Sequence, residues 1–168
     1  MLHSDKEFAI TRTFDAPREL VWKAWTDSKA LVHWWGPQGC ELRIDKFDFR
    51  PGGLFVYAMG FGPGQEMRGR FAYREIVAPE RLVFVNSFTD AEGNIARAPF
   101  SATWPLEVLN VMTLTEQGGK TTLDLRGGPI NASDEEQATY DGMHGSMQQG
   151  FAGTFDQLEA YLKNLPHG

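Results

Sequence analysis

The sequence predicts an α+β fold: a curved antiparallel sheet around one long C-terminal helix, with two short helices after the first strand. Three observations carry the prediction. From Glu41 to about Asn131, apolar and polar residues alternate with period two between turn residues. Near the end, Met143, Met147, Phe151, Phe155, Leu158 and Leu162 recur at intervals of four, four, four, three and four, the stripe of an amphipathic helix. At the start, FAITRTFD alternates as a strand, and Leu20, Val21, Ala24 and Trp25 then follow helical spacing.

In chain order, the first strand stops before Pro17, which suits the first position of a helix. A second short helix begins near Asp27 or Ser28 and ends at Gly36-Pro37. The strands that follow are ELRIDKFDF, GLFVYAMGF, EMRGRFAYREIV, RLVFVNSFT, EVLNVMTLTEQ and KTTLDLRGG. Turns such as Pro51-Gly52-Gly53 and Gly118-Gly119 are short enough to make neighbours antiparallel. Residues 90–105 form the one long connection, which carries Phe100 and Trp104, the latter a candidate lid residue. Ser133 and Glu136 fit a capping box that opens the last helix, expected over about 134–162 and about 40 Å long at about 1.5 Å per residue.

That helix contains Gly142, Gly145, Gly150 and Gly153, each costing about 0.8–1 kcal/mol against alanine. A straight helix cannot touch a strongly bent sheet along its full length, so a gap lined by the inner sheet face remains. Gly150 and Gly153 are expected to permit close packing, while Gly142 and Gly145 leave room over the mouth of the gap.

The chain's 168 residues fit a single domain, 1–168, with a core over about 8–163. A net charge of −6 argues against nucleic acid or an anionic membrane as the main partner. The N-terminal stretch lacks a basic segment followed by an apolar one, and no apolar run reaches membrane-spanning length, so a soluble, cytoplasmic protein without membrane insertion is expected. Cys40 is the only cysteine, which excludes an internal disulfide. A monomer or homodimer is expected.

Strand alternation places Phe55, Tyr57 and Met59 on one face, with Phe71 and Tyr73, then Leu82, Phe84, Asn86 and Phe88, then Asn110, Met112 and Leu114. Rings and thioethers with a few amides suit a small-molecule pocket, and they equally suit a plain core. The candidate cavity lining is Trp34, Tyr57, Met59, Phe71, Tyr73, Phe84, Asn86, Phe88, Asn110, Met112, His144, Met147 and Phe151. Trp34 and Trp35 must point different ways; one could pack into the core and the other border the cavity entrance, or the two could form an apolar plug ahead of a Gly-Pro helix stop. Asp141 and His144, three apart on the helix, could form an acid–base pair, or His144 could be a polar lining group. No HExxH, CxxC or third clustered ligand accompanies them, so neither metal nor cofactor is expected. Arg68, Arg70 and Arg126 suit cross-strand ion pairs or a ligand carboxylate. Gly119-Lys120-Thr121 lacks the earlier glycine of a phosphate loop, and no nucleophile elbow is present.

ITRTFDAPRELVWKAWTD, HWWGP, REIVAPERLVFV, VMTLTEQGGKTTLDL and MHGSMQQGFAGTFDQLEAYL together resemble the family named after the carboxy-terminal domain of the activator of the Hsp90 ATPase. That family belongs to the helix-grip superfamily of START-like and plant pollen-allergen-like domains. The resemblance implies a seven-stranded sheet, a long terminal helix and a hydrophobic cavity between them. Relatives include lipid carriers, hormone receptors and polyketide cyclases, and fold does not choose among these. The expected function is binding of an apolar or aromatic small molecule. The alternatives are a cavity enzyme of cyclase, hydrolase or dehydratase type, with His144 or a tyrosine as acid or base, and an Hsp90-interacting module.

Overall fold

The computed structural model describes residues 7–36 and 39–165. Strand β1 (Phe8–Phe14) leads into helices α1 (Arg18–Thr26) and α2 (Ser28–Trp34). Six strands follow: β2 (Glu41–Phe47), β3 (Leu54–Gly60), β4 (Glu66–Val77), β5 (Arg81–Phe88), β6 (Val108–Gln117) and β7 (Lys120–Pro129). Helices α3 (Asp134–Gly142) and α4 (His144–Lys163) come last.

The seven strands form one antiparallel sheet in the order β1-β7-β6-β5-β4-β3-β2, the α+β arrangement read from the sequence. Consecutive strands pair as hairpins, while β1 crosses over to pair with β7. Register shifts between Ile44 and Lys46 in β2, and between Tyr73 and Glu75 in β4, add the local twist that bulges supply to a curved sheet.

The helices start and stop for local reasons. Pro17 is the N-cap of α1, one position earlier than expected, where its extended backbone (ψ 153°) leads into the first turn. The Asp27 carboxylate caps α2 by accepting from the Lys29 N–H at 2.9 Å. The helix ends at Trp34, because Trp35 already has extended backbone (ψ 133°) and Gly36 has a φ of +102°. Pro37, the expected stop, lies outside the described residues. Ser133 and Glu136 form the full capping box at α3.

α4 packs Phe155, Leu158 and Leu162 into the core, all at most 3% exposed. Phe155 meets the edge of Phe14 at 6.2 Å and tilts against Trp25 at 6.4 Å. Outside this apolar stripe, Arg12 of β1 bridges Asp156 and Glu159 at 2.6 and 3.1 Å. One further contact joins α2 to α4: the Gly36 carbonyl accepts from Thr154 Oγ1 at 3.1 Å and from Gln157 Nε2 at 2.6 Å.

The structure corrects two expectations about the terminal segment. The single helix over 134–162 is broken at Met143, so that α4 alone, 20 residues and about 30 Å, grips the sheet. Gly142 and Gly145 flank the break, where the weak helix preference of glycine lets the chain turn. Nor does any of the four glycines serve close packing, because a Cβ added at Gly142, Gly145, Gly150 or Gly153 would meet nothing within 4 Å.

Replacing Gly153 by alanine therefore adds helix preference without a clash, and should stabilise the protein by about 0.5–1 kcal/mol in urea denaturation. A loss of stability would mean that the position is tighter than the structure shows.

Candidate functional site

The concave face of the sheet has two halves. In one, Phe55, Phe71, Tyr73, Leu82, Phe84, Met112, Leu114, Leu123 and Leu125 are buried beneath α1, α2 and the end of α4. Phe71 stacks on Phe84 at 4.1 Å, and the edge of Tyr73 meets Phe49 at 4.9 Å. In the other half, a cavity of about 230 Å³ separates the sheet from the first turns of α4.

Its floor is Tyr57 and Met59 of β3, Gly69 of β4, Asn86 and Phe88 of β5, and Val108 and Asn110 of β6. Met147, Gly150, Phe151 and Thr154 of α4 form the roof. Trp35 and Gly36 close one side, and Tyr140 of α3 and Trp104 of the long loop border the cavity as well.

Two glycines let polar tips lie flat on this floor. Gly69 faces Tyr57 in the register, and a Cβ there would sit 2.7 Å from the Tyr57 hydroxyl. Gly127 faces Asn110, and its Cβ would sit 2.7 Å from Asn110 Oδ1. Asn86 Nδ2 donates to the Tyr57 hydroxyl at 3.2 Å and to the Arg70 carbonyl at 3.0 Å, while Asn110 Nδ2 donates to the Val108 carbonyl at 3.2 Å. Burial raises the Tyr57 pKa, opposed in smaller part by the Asn86 bond. The Trp35 indole also faces that hydroxyl, outside hydrogen-bond geometry.

Charges stay out of the cavity. Arg68 and Ser87 border it, but they alternate with the inward Gly69 and Phe88, so their side chains point to the convex face. The Arg68 guanidinium is engaged there by Glu66 at 2.9 Å and Asp45 at 3.5 Å. Among the described residues, no group of three or more His, Cys, Asp or Glu side chains could hold a metal ion.

Of the residues singled out in the sequence, Tyr57, Met59, Asn86, Phe88, Asn110, Met147 and Phe151 line the cavity. Phe71, Tyr73, Phe84 and Met112 do not: they share the concave face but lie in its filled half. Trp34 is also corrected. It is the last residue of α2, on the stripe of Ala30 and Leu31, and its indole donates to the buried Ala24 carbonyl at 2.9 Å. Trp35, just past the helix, swings off that stripe and takes the place at the cavity. His144 leaves the lining as well, because it packs edge-on against Tyr140 at 5.2 Å and Phe8 at 5.7 Å. Its Nε2 is 4.0 Å from Asp141, a loose contact. The tyrosines left in the lining, Tyr57 and Tyr140, are both pushed up by burial, which makes them poor bases near neutral pH.

Sequence reading did not assign Tyr140, Gly150, Val108 or Thr154 to the site. Tyr140 was the recoverable one, being an aromatic three residues before Met143 on the helical stripe. Trp104, a lid candidate, lies against Tyr140 at 5.5 Å, whereas Phe100 is 52% exposed. Arg97 fixes this loop by donating to the Trp104 carbonyl at 3.1 Å and pairing with Glu136 of the capping box.

A curved antiparallel sheet closed over a cavity by a terminal helix defines the helix-grip class of α+β domains. The chain belongs to the family described as activator of Hsp90 ATPase homolog 1-like protein, which it matches over residues 15–163. It is similar in structure to a protein of Mycobacterium smegmatis, 27% identical, with a TM-score of 0.76 over 96% of this chain and 93% of that one. A protein of Arthrobacter aurescens is 25% identical, with a TM-score of 0.78 over 96% and 88% of the two chains. One from Rhodobacter sphaeroides, 19% identical with a TM-score of 0.78 over 99% of both chains, is alike in fold. Among curated proteins none matches in sequence. Among the described residues, no helix is long and apolar enough to cross a membrane.

The Tyr140 hydroxyl is buried without a hydrogen-bond partner among the described residues. Tyr140→Phe should then leave stability within about 0.5 kcal/mol of the parent or raise it, since no bond is lost. Destabilisation by more than about 1 kcal/mol in urea would reveal a partner for the hydroxyl.

Proposed function

We propose that this chain is a binding protein for a compact, apolar, ring-bearing small molecule, held between the sheet and the first turns of α4. The observation that carries this reading is the cavity itself. At about 230 Å³ it falls somewhat below the roughly 300–1,000 Å³ of drug-sized sites, which favours a small guest. Its walls are rings, thioethers and valine, with the amides of Asn86 and Asn110 as sparse polar points. A packed interior leaves few voids larger than a water molecule, so a gap of this size is a feature that the fold maintains.

Gly150 supports the same reading. It is in the roof, its added Cβ would meet nothing, and the helix preference forgone there keeps the cavity open. An Hsp90 partner, of the kind that the family's description names, rests on the family alone.

The direct test is calorimetric titration with tetralin, a compact bicyclic hydrocarbon. The parent protein should bind it, and Met147→Trp or Gly150→Leu, which fill the cavity from the roof, should weaken binding at least tenfold while the protein stays folded. A parent that binds neither tetralin nor its ketone 1-tetralone, or filled variants that bind as well as the parent, would refute the reading.

A further inference from the structure

The Tyr57 hydroxyl can both donate and accept, and only one half of that capacity is used. It accepts from Asn86 Nδ2 at 3.2 Å, and among the described residues no hydrogen bond takes its proton. The neighbours that locate the hydroxyl are Asn86, Gly69 and Trp35, and all three line the cavity. Gly69 is what allows it to lie there, since any larger residue at that position would displace it. Tyr57 itself is 4% exposed, so bulk water does not take the proton readily.

The other polar groups of the lining include acceptors, the amide oxygens of Asn86 and Asn110, and one further donor. That donor, Trp35 Nε1, is buried beside the same hydroxyl without a partner among the described residues. The Asn86 amide nitrogen already gives both its bonds, to Tyr57 and to the Arg70 carbonyl. Among the described residues no charged side chain faces the cavity, because the Arg68 guanidinium is held on the convex side by Glu66 and Asp45. A charged ligand would lose its hydration there without a counter-charge.

We infer that the ligand is uncharged and carries a hydrogen-bond acceptor oxygen, of carbonyl type, on its apolar ring framework, and that Tyr57 donates to this oxygen. The inference rests on the cavity being a small-molecule site and adds the chemistry that the site selects. Asn86 is a positioning residue: by donating to the Tyr57 oxygen it turns the phenol proton away from itself and toward the guest.

The test compares 1-tetralone with tetralin, two molecules of nearly the same shape that differ by one carbonyl. The parent protein should prefer the ketone about tenfold, and Tyr57→Phe should bring the ratio of the two affinities close to one. The matched ammonium, 1-aminotetralin, should bind the parent at least tenfold more weakly than the ketone. Binding of both neutral probes without preference, a preference that survives in Tyr57→Phe, or tighter binding of the ammonium would each overturn the inference and leave the cavity reading standing. Failure of the parent to bind either neutral probe would overturn both. The comparisons within the parent protein do not depend on the folding of the variant.

Discussion

Trp35 is the wedge on which this architecture depends. Its ring meets the edge of Phe71 at 5.1 Å and of Tyr57 at 6.2 Å on the sheet, tilts against Phe151 of α4 at 6.5 Å, and packs beside Trp25 at 5.9 Å. On one side of it the core is filled, and on the other the cavity begins. An indole held between sheet and helix prevents the early turns of α4 from collapsing onto Asn86 and Phe88, much as a spacer would. The ring is held in turn by Gly36, whose positive φ redirects the chain and whose carbonyl is gripped by Thr154 and Gln157. A side chain at Gly36 would collide with Cys40 Sγ at 2.8 Å and Met59 Sδ at 3.0 Å, so the joint requires glycine for both conformation and space.

The protein also separates its electrostatics from its interior. Arg12, Arg43, Arg97 and Arg126 all find carboxylates on the outer surface, joining β1 to α4, β2 to β4, the long loop to α3, and β7 to the segment before β1. Exposed pairs of this kind contribute little stability each, but they fix the edges of elements whose inner faces are apolar. The pair between Arg97 and Glu136 lowers the pKa of that carboxyl and ties the loop bearing Trp104 to the helix bearing Tyr140. The cavity wall on that side is therefore positioned by surface charge.

The fold was legible because the sequence repeats its pattern at each level. The period-two strands match those of the structure to within two residues at each end, and the capping box at Ser133 marks a real helix start. The break at Met143 was harder, because a glycine within a helical stripe is compatible with both continuation and a bend. The site was legible only in part for a geometric reason. Alternation tells which face of the sheet a residue occupies, so Phe71, Phe84 and Asn86 look alike in sequence. What separates them is how far along the strand α4 and Trp35 make contact, and that distance is set by tertiary packing. The choice between Trp34 and Trp35 was in principle readable, since Ala30, Leu31 and Trp34 form one helical stripe and Trp35 lies off it.

The pairing of β1 with β7 has a temporal side. Thr11 bonds to Asp124, 113 residues further along the chain, and Thr121 to the Ala16 carbonyl, 105 residues back. Every other strand pair is a hairpin that can form as soon as its two strands exist, so β2 to β7 can assemble stepwise from one neighbour to the next. β1 has no partner until the last strand has been made, and α1 and α2, tethered to it, wait as well. During synthesis on a ribosome β1 thus waits for β7 before it is seated, and the wedge at Trp35 waits with it. The cavity is consequently a late event in the life of the chain, fixed only when β1 and β7 have met.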